Sequence, residues 1–396
     1  MDSFTQIALG AAVGQAARGP RLGRAAALWG AMAGTVPDLD VLAYPFLDPA
    51  AELIHHRGIT HGLAFGIVAG PLLGWLVWRL RRWRGRAASG GAASGGTGGA
   101  RGPAETWRDW ALVMGLGLVT HPLLDVFTVY GTQLLAPFSD AMLFVGSLFI
   151  LDPLVTVPLA LAVAVGLWRP RLSRRAALVG LAAACAYVGA GVGLQAHARS
   201  TAEAALAGRG AQPERVIVTA GPLSSLVWRG VALEGGRLTP FSLHVTDPPQ
   251  AVLFDPPVPL AAPPEGFAES RNGRTLLWFS HGWLADVTPE ASGDSAPGDT
   301  PGARGPVYAD VRFGRGGLDP TDAWVFRWRV EPEPPFAFRQ VDRVPSFERG
   351  EFARLWRWIA GRRAAAARGP GGGGGPDPGP LLPVPPASPL PDPASP

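Results

Sequence analysis

The chain has 396 residues, of which 47% are hydrophobic by type and 17% charged. The charge deficit excludes one uniform soluble globule, because long apolar stretches fill the first half while charged, strand-like segments fill the second. A single cysteine excludes a disulfide framework and a thiolate metal site. The basic residues are all arginine and the net charge is +4, which indicates a genome of biased composition rather than nucleic-acid binding, so we expect no nucleic-acid partner.

Six apolar stretches predict an α-helical multi-pass membrane bundle over residues 1–195, since about 20 mostly apolar residues cross a bilayer. In chain order they are 4–17, 25–44, 62–80, 107–128, 154–168 and 176–194. The first is short and could instead be re-entrant or interfacial. Asp2 stands where a signal peptide carries positive charge, so we expect this segment to be retained.

Arginine placement predicts the orientation of this bundle, because short basic loops stay in the cytoplasm. Three loops are basic, and they contain Arg18, Arg21 and Arg24, then Arg79, Arg81, Arg82, Arg84 and Arg86, then Arg169, Arg171, Arg174 and Arg175. The alternate loops, 45–61 and 129–150, contain only Arg57. We therefore expect a protein of the bacterial cytoplasmic (inner) membrane with both termini outside and an exocytoplasmic C-terminal domain.

The second half of the chain predicts a smaller, mainly β domain over 196–360. Period-two alternation and Pro/Gly turns indicate strands at 215–219, 226–233, 275–279, 307–313 and 324–330, and a short amphipathic helix is expected at 347–359. Residues 87–103 have the composition of a flexible Gly/Ser loop, and the Gly/Pro tail 361–396 has that of a disordered segment.

Two acidic residues follow the second apolar stretch in the sequence PDLD. Pro37 ends the preceding helix and favours an extended backbone, in which residues two apart face the same way. Asp38 and Asp40 are therefore expected to point together. The alternative is that Asp38 is a simple turn or cap residue.

Histidines form two further motifs among the membrane segments, where ionisable groups are costly and usually functional. In HHRGITH, His56 and His61 flank a Gly-containing turn before the third segment. In HPLLD, His121 and Asp125 are four apart, which places them on one helix face. The structural alternatives are hydrogen-bonded interfacial histidines and a hydrogen-bonded His-Asp pair.

The predicted topology brings these motifs to the same outer face, so we expect convergence around one or two divalent ions. The expected ligands are Asp38, Asp40, His56, His61, His121 and Asp125. Further candidates are Asp2, His55 and Asp152, although Asp2 also fits a helix N-cap and Asp152 a helix N-terminus favoured by the dipole. The loop from Tyr130 to Ser139 could line the site.

Imidazole and carboxylate ligands without thiolate suit Zn, Mn or Fe at a hydrolytic site. A bound divalent ion would lower the pKa of a coordinated water to roughly 7 and supply a nucleophile. The sequence has no P-loop, dinucleotide fingerprint or Ser-His-Asp arrangement that would indicate other chemistry.

Five motifs occur in a characteristic order: MDSFTQIALGAAVG, GTVPDLDVL, HHRGITHGL, HPLLDVFTVYGTQLLAPFS and LDPLVTVPL. In this they resemble the YdjM-like family of LexA-regulated inner-membrane proteins, to which metal-dependent hydrolysis is ascribed. The resemblance covers residues 1–195, and the later WRG, FSHGW, YADVRFG and WVFRWRV segments look like the C-terminal domain of longer members. It implies that the six expected ligands occupy the family's polar positions. Gly62 departs from the serine expected there, and the Gly/Ser insertion is a second departure.

These features predict a membrane-bound, metal-dependent hydrolase acting at the outer face, with a phosphoester or lipid-linked substrate in contact with the bilayer. The alternative is a non-enzymatic membrane protein, either a transporter or an anchor for an exocytoplasmic binding module. A transporter should carry polar residues through to the cytoplasmic half, whereas the candidate residues stop at one side. This distribution favours a one-sided site.

Overall fold

The structure is a computed structural model that describes residues 1–88, 105–288, 305–314 and 326–341, together with Trp356 and Ile359. The helices of the first part are α1 (Ser3–Leu22), α2 (Arg24–Thr35), α3 (Pro49–His55), α4 (Leu63–Ala88), α5 (Trp107–Asp125), α6 (Pro153–Trp168) and α7 (Ser173–Gly208). Short 3₁₀ helices at Pro37–Phe46 and Ile59–His61 connect α2, α3 and α4. The N-terminal part is therefore helical, as predicted.

Glycines allow α1 and α2 to pack with their backbones in contact. A Cβ atom added at Gly10 would lie 2.2 Å from the carbonyl oxygen of Gly30, and one added at Gly34 would lie 2.4 Å from that of Gln6. Any larger residue would force the two helices apart. This close approach holds the end of α2, with the Gly34 carbonyl, beside the end of α5.

The prediction of six membrane segments is not supported. Among the described residues, two helical stretches are long and apolar enough to cross a membrane, Leu63–Arg84 and Pro170–Gly208. Each is only 22% buried, which leaves apolar faces for lipid rather than for a protein core. The 12 residues of α2 and the 16 of α6 extend about 18 and 24 Å, short of a hydrocarbon core of about 30 Å.

The remaining two predicted membrane segments, α1 and α5, are not supported for a different reason. The 20 residues of α1 and the 19 of α5 would be long enough. However, α1 carries Gln6, Gln15 and two arginines, and α5 carries His121 and two aspartates. Most of these polar groups are buried against neighbouring helices, so α1 and α5 form the interior of the bundle. Their polar content serves contacts within the protein.

The C-terminal region is built from two antiparallel sheets, as the period-two pattern predicted. The strands are β1 (Arg215–Ala220), β2 (Val227–Glu234), β3 (Arg237–His244), β4 (Leu253–Phe254), β5 (Val258–Pro259), β6 (Leu284–Asp286), β7 (Val307–Asp310), β8 (Arg327–Val330) and β9 (Phe338–Val341). The first sheet has the order β1-β2-β3-β4 with β5 also paired to β3, and the second has the order β6-β7-β8-β9. A hydrophobic cluster that includes Val231, Leu238 and Val311 joins the two sheets.

One predicted strand is wrong. Residues 275–279 lie in a helix, α8 (Arg271–Ser280), which begins where the Ser270 side chain accepts a hydrogen bond from the Gly273 amide. Leu276 and Phe279, three residues apart, are both buried on one face of this helix. The strands predicted at 215–219 and 226–233 are confirmed as β1 and β2. The cap and the three-residue spacing explain the helix.

The β region packs directly on the helical part. Ala50 and Leu53 of α3 and Met142 share a hydrophobic cluster with Phe279 of α8 and with residues of the second sheet such as Trp328. The expected boundary at residue 195 falls within α7, which continues to Gly208. The first two residues of the loop expected at 87–103 belong to α4, which ends at Ala88. The rest of that loop and the tail at 361–396 lie outside the described residues, as does the helix at 347–359 apart from Trp356 and Ile359.

Candidate metal centre

The PDLD segment has a different backbone from the one expected. It begins a 3₁₀ helix, Pro37–Phe46, in which each residue turns about 120° from the last, whereas alternate side chains of an extended chain point the same way. The extended backbone predicted here is therefore wrong. Both carboxylates approach the His61 ring at different nitrogens: Asp38 Oδ1 lies 3.5 Å from Nε2, and Asp40 Oδ2 lies 3.7 Å from Nδ1. Asp38 belongs to the cluster described next, and a ligand role for Asp40 stays a prediction.

Four side chains from three segments meet at one place. Asp38, His61, His121 and Asp125 each offer one ligand atom, and these atoms lie within 4.8 Å of one another. The His121 and His61 Nε2 atoms are 3.2 Å apart. The Asp38 Oδ1 atom lies 3.5 Å from His61 Nε2 and 3.3 Å from His121 Nε2. The Asp125 Oδ2 atom lies 3.6 and 3.5 Å from the same two nitrogens.

These distances fit tetrahedral coordination. Ligand bonds of 2.0–2.1 Å, as zinc forms with nitrogen and oxygen, put neighbouring ligand atoms about 3.3–3.4 Å apart in a tetrahedron. Five of the six separations between the four ligand atoms run from 3.2 to 3.6 Å, and the sixth, between the two carboxylates, is within 4.8 Å. Among the described residues, the buried Asp125 Oδ2 atom has no hydrogen-bond partner, although it faces this cluster. The cluster could therefore hold a metal ion.

Contacts to the Nδ1 atom of each imidazole, on the side away from the cluster, orient the two rings. His121 Nδ1 lies 2.6 Å from the carbonyl oxygen of Gly34, a contact in which the ring nitrogen can only donate, so the Nε2 lone pair of neutral His121 faces the cluster. His61 Nδ1 lies 3.2 Å from Thr60 Oγ1 and 3.7 Å from Asp40 Oδ2, and its Nε2 faces the cluster. A carboxylate or carbonyl behind a ligating histidine is the usual way in which proteins fix ring orientation.

Electrostatics favour the protonation states of Asp38 and His61 that bind a metal ion. Burial would raise the pKa of Asp38, but nearby His121 and His61 outweigh it and hold that pKa well below its usual range. Burial lowers the pKa of His61 despite Asp38, which favours the neutral imidazole that metals bind. Asp38 is 21% exposed whereas the other three side chains are 0% exposed, so the cluster reaches solvent at Asp38.

Asp125 ends α5 and is held by groups that the sequence did not single out as its partners. The Met1 α-ammonium group contacts Asp125 Oδ1, and Gln6 Nε2 donates to the same oxygen at 2.9 Å. These contacts occupy Oδ1 and turn Oδ2 towards the histidines. Both groups lie at the N-terminal end of the chain, which the predicted topology put outside, and this was the sequence signal for the contact.

Asp40 and His56 form a second pair beside the cluster. His56 Nδ1 lies 3.3 Å from Asp40 Oδ1, and the amide of Arg57 donates to Asp40 Oδ2 at 2.9 Å. Burial would raise the pKa of Asp40, but His56 and the Arg57 amide outweigh it and lower that pKa. Asp40 therefore connects His56 to His61 from outside the four-residue cluster.

The three further candidates lie away from the cluster. Asp2 caps α1, where its Oδ1 atom accepts a hydrogen bond from the Thr5 amide at 3.0 Å. Asp152 caps α6, since its Oδ1 atom accepts from the Leu154 amide at 3.0 Å and its Oδ2 atom from the Tyr187 hydroxyl at 2.9 Å. His55 is exposed at the end of α3. Asp2 and Asp152 thus have the structural roles considered as their alternatives.

The loop after α5 covers the site and connects it to the β region. The Tyr130 ring lies 5.0 Å from that of His56 and 5.1 Å from that of Phe279 in α8. Further along the loop, the carbonyl oxygen of Ala136 lies so close to Gly62 that a Cβ atom added there would be 2.4 Å from it. This contact leaves no room in this chain for the serine expected at that position.

Together the fold and the cluster define a class: a membrane-associated helical protein with a buried Asp/His cluster that could hold a metal ion, followed by a β-sheet region. The chain belongs to the YdjM inner membrane protein family, whose model matches residues 1–198. This match confirms the resemblance seen in the motifs and supports location in the inner membrane. No curated protein and no solved structure matches the chain.

Proposed function

We propose that the protein is a membrane-bound hydrolase that uses a metal-activated water on a phosphoester or lipid-linked substrate. The observation that carries this proposal is the near-tetrahedral arrangement of two imidazoles and two carboxylates, one of which has a buried oxygen facing the others. This donor set suits Zn, Mn or Fe and is typical of hydrolytic rather than structural sites.

In this proposal Asp38, His61, His121 and Asp125 hold the ion. The ion, when bound, would supply a hydroxide-like nucleophile at neutral pH. Asp40 and the Gly34 carbonyl keep the two imidazoles in the orientation that ligation needs. Asp38 lies at the exposed side, so a substrate would approach there, while the buried side chains behind it exclude bulk water.

The charge distribution along the bundle supports a site at the outer face. Arg18 Nε and Arg21 NH1 bind Asp109 at 2.8 and 3.0 Å, at the opposite end of α1 and α5 from the cluster. Asp109 and Asp125 are 16 residues apart in α5, which corresponds to about 24 Å. With the basic end in the cytoplasm, the cluster and the β region after α7 lie on the exocytoplasmic side.

Exposed apolar side chains near the cluster support a lipid or lipid-linked substrate. They lie on the segments that carry Asp38 and His61 and on the loop after α5, and they are Leu39, Leu42, Phe46, Ile59, Leu135 and Phe138. Phe46 and Phe138 are 88% and 86% exposed. An acyl chain would cover this apolar surface while its polar group lies at Asp38.

Elemental analysis of the detergent-purified full-length protein tests the proposal. We expect stoichiometric metal and metal-dependent hydrolysis within a panel of phosphoesters, lipids and amides, both lost when His121 and Asp125 are replaced by alanine. The Arg199→Gln variant is the control, since Arg199 is exposed on α7 and pairs only with nearby Glu203 in a surface contact. Purified protein without metal would favour the anchor or transporter alternative.

A reporter fused after Gly361 tests the orientation. We expect activity from a reporter that works only outside the cytoplasm. Activity from a reporter that works only inside the cytoplasm would contradict the outer-face site and the exocytoplasmic β region together, while leaving the metal analysis as a separate question.

A further inference from the structure

Arg57, between the two histidines of HHRGITH, has a backbone that is fixed in an uncommon conformation. Its φ angle is +56°, in the left-handed region that residues other than glycine rarely adopt because it is strained. The Arg57 amide donates to Asp40 Oδ2 at 2.9 Å, and its carbonyl oxygen accepts from the Gln133 amide at 3.0 Å. These two bonds hold the strained conformation and direct the side chain into the site.

The guanidinium group is buried and oriented at three points. Arg57 NH1 donates to Thr128 Oγ1 at 3.0 Å, and Cζ lies 4.8 Å from the centre of the Tyr130 ring. Arg57 Nε lies 3.4 Å from Asp125 Oδ2, the oxygen that faces the cluster. Among the described residues this buried Nε pairs with Asp125 by charge but makes no hydrogen bond, so its N–H group remains available to a ligand beside the proposed ion.

Pairing with Asp125 as a counter-ion does not by itself explain the position of the Arg57 guanidinium group. Asp125 Oδ1 already contacts the Met1 ammonium group and the Gln6 amide, while Oδ2 would give its lone pair to the ion. A guanidinium beside a bound cation is costly in a buried site unless an anion lies between them. An ion bound by Asp125 Oδ2 would leave Arg57 to share that oxygen with it.

We propose that Arg57 binds an anionic oxygen of the substrate, that of a phosphate group, next to the metal-bound oxygen. This inference rests on the proposed function and names its substrate as a phosphate-bearing one. Arginine suits the role because its planar guanidinium keeps its charge when buried and donates charge-assisted hydrogen bonds to phosphate. A fixed donor of this kind also stabilises the charge that develops on the phosphoryl oxygens during attack by water.

Binding of inorganic phosphate to the metal-loaded, detergent-purified full-length protein tests the inference by calorimetry. We expect the native protein and Arg199→Gln to bind phosphate equally. Arg57→Gln should weaken binding about 10- to 100-fold, the range expected for a lost hydrogen bond to a charged group. Arg57→Lys, which keeps the charge but not the planar fork, should recover part of this loss. Metal content should stay the same in all four proteins.

The outcomes separate this inference from the proposed function. Unchanged phosphate affinity in Arg57→Gln, or no phosphate binding by the metal-loaded native protein, would overturn the inference alone. Loss of metal in parallel with loss of phosphate binding would show that Arg57 acts only through Asp125, and would also overturn it. If Arg57→Gln does not fold, as judged by circular dichroism, Arg57→Lys decides by the same two measurements. Native protein without metal would instead contradict the proposed function.

Discussion

Two buried aspartates, one in the helical part and one in the β region, have opposite environments. Asp310 at the end of β7 has both oxygens occupied, because Arg312 donates to Oδ1 from its amide and Nε at 3.0 Å and to Oδ2 from NH2 at 2.6 Å. Asp125 at the end of α5 has its Oδ1 occupied, while its Oδ2 faces two imidazoles and a second carboxylate. Both side chains are 0% exposed.

The difference separates a structural carboxylate from a candidate ligand. Arg312 lies two residues from Asp310 and supplies several donors in a fixed fork, so one neighbouring residue satisfies both carboxylate oxygens. The groups around Asp125 come from α1, the segment after α3, and α5. Its Oδ2 atom lies 3.4 Å from Arg57 Nε and 3.5 and 3.6 Å from two imidazole nitrogens, but among the described residues it makes no hydrogen bond. Burial alone therefore does not identify a site, whereas an incompletely bonded carboxylate beside two imidazoles does.

The largest expected effect comes from Asp125→Asn. The amide keeps the size of the side chain but removes the charged ligand oxygen, so we expect bound metal to fall to background. Elemental analysis of the purified variant measures this. Asp310→Asn is the matched control, and we expect it to retain metal. Full metal content in Asp125→Asn would remove the distinction drawn between the two carboxylates.

Asp310→Asn should instead destabilise the protein. Breaking a buried ion pair leaves the Arg312 charge uncompensated, which typically costs about 3–5 kcal/mol. Chemical denaturation of the full chain in detergent, followed by tryptophan fluorescence, measures the loss because Trp328 lies in the same sheet. A decrease in the free energy of unfolding of less than about 1 kcal/mol, the scale of an exposed ion pair, would contradict a structural role for the Asp310–Arg312 pair.

A smaller effect on metal binding is expected from Asp40→Asn. Asp40 lies behind His61, and loss of such an orienting carboxylate typically lowers metal affinity about 10- to 100-fold. Competition with a chelator of known affinity measures the change. If Asp40→Asn lost metal as completely as Asp125→Asn, Asp40 would have to be a ligand, as the sequence first indicated.

The smallest effect is expected from Asp2→Ala. Asp2 caps α1, and loss of an N-cap side chain costs about 1 kcal/mol. We expect a small decrease in the denaturation midpoint with unchanged metal content. A marked loss of metal would show that Asp2 contributes to the site beyond its cap.

The local pairs of the candidate site were predictable from the sequence, and their assembly was not. His121 and Asp125 lie on one face of α5 because helical geometry requires it at a spacing of four. The extended backbone predicted for PDLD was wrong because Pro37 begins a 3₁₀ helix, from which Asp38 and Asp40 approach different nitrogens of His61. Arg57 was noticed only as an isolated charge in an arginine-poor loop, since its burial depends on Thr128, Tyr130 and Asp125.

The sequence by itself determined the family, the helical and β halves, and the residue types of a possible metal site, because hydrophobic period and side-chain chemistry are local properties. The tertiary structure decided where each helix ends and that α1 and α5 lie inside the bundle, since their burial depends on their neighbours. It also decided which carboxylate faces the histidines. Four side chains from three segments meet only because glycine contacts bring α1 and α2 together and place Gly34 behind His121.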